Sequence, residues 1–248
     1  MVTSVVAVAS AIAGVCGADG RVCWEGVMLT DEMRSEYDRL YGSCVVNPER
    51  RADIEVVITR MMKSRERYQT VQLVVGVPWY VIAVIHNMEC DGRFNCHLHN
   101  GDPLSSRTVQ VPEGRPAAGN PPFTWEASAI DALRYEGFDV WRDWSIAGTL
   151  FKLEAYNGFG SRKHGIPTPY LWSGSQHYSR GKYVADHKFD PNAVSSEIGA
   201  AVLLSRMSFE HLIEFPLMRP MELASAAPAT SAAPVVAAAT ENTKDPRP

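Results

Sequence analysis

The stretch from Glu89 to Asp102, ECDGRFNCHLHNGD, crowds carboxylates, thiols and imidazoles into one short segment. It follows PWYVIAVIHNM, residues 78–88, in which Trp79, Val81, Ile82, Val84, Ile85 and Met88 leave almost no polar face for a helix to turn to water. The spacing predicts a buried helix, with Pro78 at its first position and Glu89 at its C-terminal end. Helical periodicity places Ile82, Ile85 and His86 on the face of Glu89. Loss of water and the negative end of the helix dipole both disfavour the ionised form, so Glu89 should keep its proton to higher pH than a solvated Glu. A group of that kind can serve as a general acid. The plain alternative is a helix-end Glu paired with Arg93 or Arg107.

Beyond Glu89, Phe94, Cys96 and Leu98 alternate with polar residues, Asn100-Gly101 is a turn dipeptide, and Arg107–Val111 alternates again. This pattern predicts a small β-hairpin in which His99 and Asp102 face the same side, although Pro103 interrupts the second strand. Asp102 would then be a second, ionised carboxylate in a solvated loop. Cys90 and Cys96 bracket the turn after Glu89; they would form a bridge in an oxidising compartment and remain buried thiols in a reducing one. His86, Glu89, Cys90, Cys96, His97 and His99 also form a set of zinc-type donors, but not in the His-Glu-x-x-His order of zinc proteases. No metal or cofactor is the primary expectation, and a zinc hydrolase is the alternative that this set keeps open.

The elements that must position this segment can be read on either side of it. Residues 31–66 read as helical, starting at Asp31 or Asn47-Pro48, with Ile54, Val57, Ile58, Met61 and Met62 at core spacing. The cations at Arg50, Arg51, Arg60, Lys63, Arg65 and Arg67 read as a solvated helix face. Pro112–Pro122 is a loop, and Thr124 caps a helix from Trp125 to Tyr135 ending at Gly137. A buried helix from Trp144 to Tyr156 is closed by Gly158. The aromatic, weakly periodic segment 159–189 suits a cleft wall with Tyr170, Trp172, His177, Tyr178 and Tyr183, and Asp190-Pro191 is expected to open a last helix. Val5–Val15 resembles the core of a secretion signal without the preceding positive charge, or else a packed helix. The domain expectations are an N-terminal segment over 1–30, one domain over 31–221, and a disordered Ala/Pro-rich tail over 222–248. The predicted fold class is α+β, predominantly α. A net charge of −4 and a pI near 6.0 over 248 residues argue against a general grip on nucleic acid, and a monomer without stable membrane insertion is expected.

A helix ending in Glu, followed by a short polar hairpin, resembles the catalytic core of the lysozyme superfamily of glycoside hydrolases, in particular phage-type endolysins and lytic transglycosylases. Leu153-Glu154-Ala155-Tyr156-Asn157-Gly158 resembles the Ala-Tyr-Asn-Gly stretch of lytic transglycosylases, and Thr168-Pro169-Tyr170-Leu171-Trp172-Ser173 resembles the aromatic segment that follows it. The resemblance covers roughly residues 50–205. It implies a lysozyme-like fold with the hairpin beside the catalytic helix, and cleavage of peptidoglycan glycan strands by Glu89 with Asp102 as second carboxylate. His97, His99, Asn100, Thr108, Tyr156, Asn157, Tyr170 and Trp172 would contact the sugar. A lytic transglycosylase using Glu89 alone is the alternative within the same class; a wall-binding protein without turnover is the alternative outside it. A peptidoglycan substrate implies a periplasmic, secreted or wall-associated protein.

Overall fold

Helix α4, Trp79–Cys90, is the element on which the neighbours pack, because every residue from Trp79 to Met88 except Asn87 is buried. The computed structural model describes the main chain of Gly14–Val15 and Val22–Cys23, then residues 27–185 and 187–216. Most of the signal-like run and the tail expected at 222–248 lie outside these residues. The chain divides into two units, Met1–Leu217 and Met218–Pro248, and all that follows concerns the first.

Gly14–Val15 (β1) and Val22–Cys23 (β2) pair antiparallel. The stretch 31–66, expected to be helical, is broken into pieces. Helix α1 spans Asp31–Gly42, with the Thr30 hydroxyl accepting from the Met33 N–H. A single 3-10 turn at Pro48–Arg50 leads into α2, Arg51–Lys63, which turns Ile54, Ile58 and Met61 inward. Helix α3, Arg65–Val75, lies almost wholly beyond the predicted range. Its inward residues Tyr68, Val71 and Val75 have helical spacing, but Leu73 and Val74 are exposed and blur the period. The basic run is not simply a solvated face either, since Arg67 pairs with Glu126 at 2.6 Å and Arg60 binds Asn87 and Asp91 at the end of α4.

Between α3 and α4 the chain bends by 113° through Gly76, whose positive φ of 72° suits a residue without Cβ. The Gln72 side chain accepts from the Trp79 N–H at 2.6 Å, so Pro78 stands just before the helix rather than inside it. Among the described residues no single helix is long and apolar enough to cross a membrane; α3 and α4 pass such a test only jointly, across this bend.

Helix α5, Trp125–Tyr135, carries the expected Thr124 cap, and α6, Ile146–Asn157, starts two residues later than predicted because the Ser145 hydroxyl caps it. A short helix α7, Pro169–Trp172, precedes an antiparallel hairpin of β3, Lys182–Ala185, and β4, Lys188–Asp190. Asp190-Pro191 therefore ends a strand instead of opening a helix, and α8 runs only over Ala200–Phe209. Helix α1 packs on α6, α3 on α4 and α5, α8 on α4 and α7. Buried Glu154 of α6 accepts from Tyr37 of α1 and from Arg162, which also pairs with Glu36 at 2.9 Å. The architecture is mixed, about half helical with small antiparallel sheets, and so α+β with helices dominant.

Candidate active site

Glu89 lies in the last turn of α4, which closes at Asp91 in a left-handed conformation with φ 52°. Arg60 caps this end by donating to the Asn87 side chain at 2.6 Å and to Asp91 at 3.1 Å. Gly92 continues the turn at φ 66°, where a Cβ would press on the Arg60 guanidinium. Glu89 keeps part of its surface while protein surrounds its carboxyl, and that burial pushes its pKa up from 4.5 to about 8. The charges of Glu197 and Glu136 push in the same direction, and the hydroxyl of Tyr170, 3.5 Å from Oε1, pulls it back.

Tyr170, in the first turn of α7, and Tyr156, in the last turn of α6, stand beside Glu89 with ring centroids 6.4 Å apart. Burial first, then the neighbouring Glu89 charge, holds both phenols in the protonated form far above their ordinary range. Asn157 is the last residue of α6, before Gly158 at φ 87°. Trp172 is core, buried with its ring edge-on to His177. Tyr178 is also buried, with its hydroxyl accepting from Ser195 N–H, while Tyr183 packs on His164 and Phe189 of the β3–β4 region.

The hairpin predicted over 94–111 is not formed. One isolated bridge joins Cys96 to Pro103, His97 N–H donates to Asp102 O at 2.7 Å, and Arg107–Val111 forms no strand. The connection from 91 to 124 has no regular secondary structure, and loops of that length in compact domains are commonly functional. It is held instead by side-chain clasps. Asp102 is buried rather than solvated, and its Oδ2 accepts from Val109 N–H at 2.8 Å, Gln110 N–H at 3.1 Å and the Asn100 amide at 3.1 Å. Its carboxylate is thus built into the loop, which Asn100 extends by donating to Gln110 O at 3.1 Å. Thr108, also buried, donates to Pro112 O and accepts from Arg115 N–H at 2.8 Å.

The histidines are committed in the same way. His86 Nε2–H donates to Arg93 O at 2.8 Å, so Nδ1 accepts from Tyr68 at 3.0 Å; burial lowers its pKa to about 4. His97 Nε2–H donates to Ser106 O at 2.8 Å while Nδ1 meets Ser128 Oγ at 2.8 Å. His99 Nε2 lies 2.9 Å from Asp131 on α5, and Arg115 lies 2.9 Å from the same carboxylate oxygen. Burial lowers the His99 pKa. The Asp131 carboxyl is held below its ordinary value despite burial, by the His99 hydrogen bond and the Arg115 charge. His99 Nδ1 is buried without a partner, and the ring lines a small pocket with Ile85, Leu98, Glu136, Phe138 and Tyr156. The larger concavity, along Glu55, Val56, Arg60 and Lys63 of α2, contains none of these groups.

The structure therefore brings together Glu89, Tyr156 and Tyr170, places His99 and its pocket behind Tyr156, and uses Asp102, His97, Asn100 and Thr108 to build the loop. Among the described residues no group of three or more His, Cys, Asp or Glu is arranged to hold a metal ion. Glu136, Glu197 and Asp131, which influence the site electrostatically, carry no motif or periodicity that singles them out. Comparison of the chain with family models, curated proteins and solved structures gave no match.

Proposed function

We propose that this chain is a lysozyme-like enzyme that cleaves the glycan strand of peptidoglycan with Glu89 as its general acid. The observation that carries the reading is a glutamate that keeps part of its surface at the end of a buried helix, its carboxyl pushed up to about 8 by burial and flanked by Tyr170 and Tyr156. A carboxyl protonated at neutral pH can donate to the glycosidic oxygen as the C1–O4 bond breaks and oxocarbenium character develops. The resemblance of Ala155-Tyr156-Asn157-Gly158 and Thr168–Ser173 to sugar-cleft segments supports the same substrate.

The environment of Asp102 favours the single-acid, transglycosylase form of this reaction. Three N–H groups converge on one of its oxygens, so its charge has a structural use within the loop. After protonating the leaving oxygen, Glu89 is left as a carboxylate. It can take the proton of the C6 hydroxyl on the same sugar as O6 bonds to C1, closing an anhydro ring without consuming water. Asn157 and Tyr156 would contact the sugar from the end of α6. Such a substrate places the protein's work at the cell wall. The test is digestion of purified walls: wild-type protein should release soluble fragments, and Glu89→Gln should release almost none.

A further inference from the structure

We propose that Cys90 and Cys96 are a thiol pair that low-molecular-weight disulfides oxidise to an intramolecular bridge, stapling the turn after Glu89 to the end of α4. The two thiols are neighbours, each the strongest influence on the other's ionisation. Cys90 is the last residue of α4, and its sulfur lies 3.2 Å from His97 O. Cys96 belongs to the bridge with Pro103, and its sulfur lies 3.2 Å from Arg93 O. The Arg93 carbonyl within the turn and the His97 carbonyl just after Cys96 thus each hold one of the two sulfurs. Cys44, by contrast, is a half-buried thiol with serine neighbours, Ser205 and Ser175.

The surroundings divide the roles. The neighbouring Cys90 thiol, helped by the charge of Arg93, brings the Cys96 thiol down to about 7 against the effect of burial. The same contact, followed by burial, pushes Cys90 up, so Cys96 is the attacking sulfur. The Cys96 thiolate attacks one sulfur of an external disulfide, forming a mixed disulfide and releasing one thiolate. Cys90 then gives up its proton and its sulfur displaces the second external thiolate from Cys96. Two protein thiols are oxidised, one external disulfide is reduced to two thiols, and no other reactant is needed. Asp91, Arg93 and Asn95 are exposed while Phe94 packs on Tyr68, His86 and Trp125, so the reagent reaches buried Cys96 when the turn opens locally around that anchor.

The experiment uses the full chain, reduced, then incubated with oxidised glutathione, alkylated and digested with trypsin without reductant. Cleavage after Arg93 separates the peptide 68–93, which holds Cys90, from 94–107, which holds Cys96. A linked pair of these peptides that dithiothreitol splits is the expected result. It should be accompanied by a rise in Tm on the order of 5 °C for so short a closed loop. The Cys44→Ser variant should keep both signals and Cys96→Ser should lose both. Recovery of the two peptides unlinked, as glutathione adducts, or joined only to other cysteines overturns the proposal, and the wild-type map decides even if Cys96→Ser does not fold. Because the map needs no lytic activity, its failure is distinguishable from failure of the proposed function.

Discussion

Replacing Glu89 by Gln should make the protein inactive and, above acidic pH, more stable. In the unfolded chain the carboxyl ionises near its ordinary value of 4.5, whereas in the folded protein it ionises only near 8. Between those values the folded state keeps a proton that the unfolded state has released, so this group lowers stability progressively as pH rises through the window. The full difference is about 5 kcal/mol at about 1.36 kcal/mol per pH unit. Glu89 retains some solvent contact, which reduces the expected penalty to roughly 2–4 kcal/mol. Gln has nearly the same shape and no charge to desolvate. At pH 8 the variant should therefore melt roughly 5–12 °C above wild type, with an advantage that shrinks toward zero at pH 4. Thermal unfolding followed by circular dichroism at pH 4, 6 and 8 measures it. A variant no more stable than wild type at pH 8, or an offset that does not grow with pH, would mean that Glu89 is an ordinary solvated carboxylate.

The same titration predicts wall lysis that is steady through neutral pH and falls as pH passes about 8, read from a pH–rate profile of soluble fragment release. Tyr170→Phe removes the hydroxyl that favours the Glu89 carboxylate, so the alkaline limb should move to higher pH; a limb that stays in place would contradict the 3.5 Å contact. Asp102→Asn should lower stability by about 1–3 kcal/mol, because it weakens charge-assisted hydrogen bonds from the loop, while lysis per folded molecule persists. Loss of turnover without loss of stability would return Asp102 to the reaction. Asn157→Ala should reduce activity on polymeric wall several-fold with little change in Tm, on the order of one lost polar contact; the reverse pattern would make Asn157 only a helix end.

Glu89 and the helix behind it were legible because burial of an all-apolar helix needs no information beyond its own residues. The caps at Thr124 and the end of α6 were legible for the same reason. The segment 91–124 was misread because alternation there does not report a strand: Cys96 and Leu98 turn inward in a loop, and Asp102, Thr108 and His97 satisfy its main chain. Polar residues beside a candidate acid look alike in a sequence whether they would meet a ligand or fold a loop. Their partners decide, and those partners, Ser128 and Asp131 on α5 and the 109–115 main chain, are distant in sequence or belong to no pattern. Helix α3 escaped because two of its apolar residues face outward. The α8 boundary was misplaced because Asp190-Pro191, a good helix start in isolation, instead ends the β3–β4 hairpin.

The most direct measurement is mass analysis of the fragments released from purified peptidoglycan by wild-type protein, beside a Glu89→Gln control. The account predicts disaccharide-peptide fragments with anhydro ends, each one water lighter than the hydrolysed product, from the wild type alone. Fragments with free reducing ends would mean that water, and with it a second activating group, takes part. Cleavage at peptide or amide bonds, or no wild-type fragments at all, would contradict Glu89 as the general acid of a glycan-cleaving enzyme.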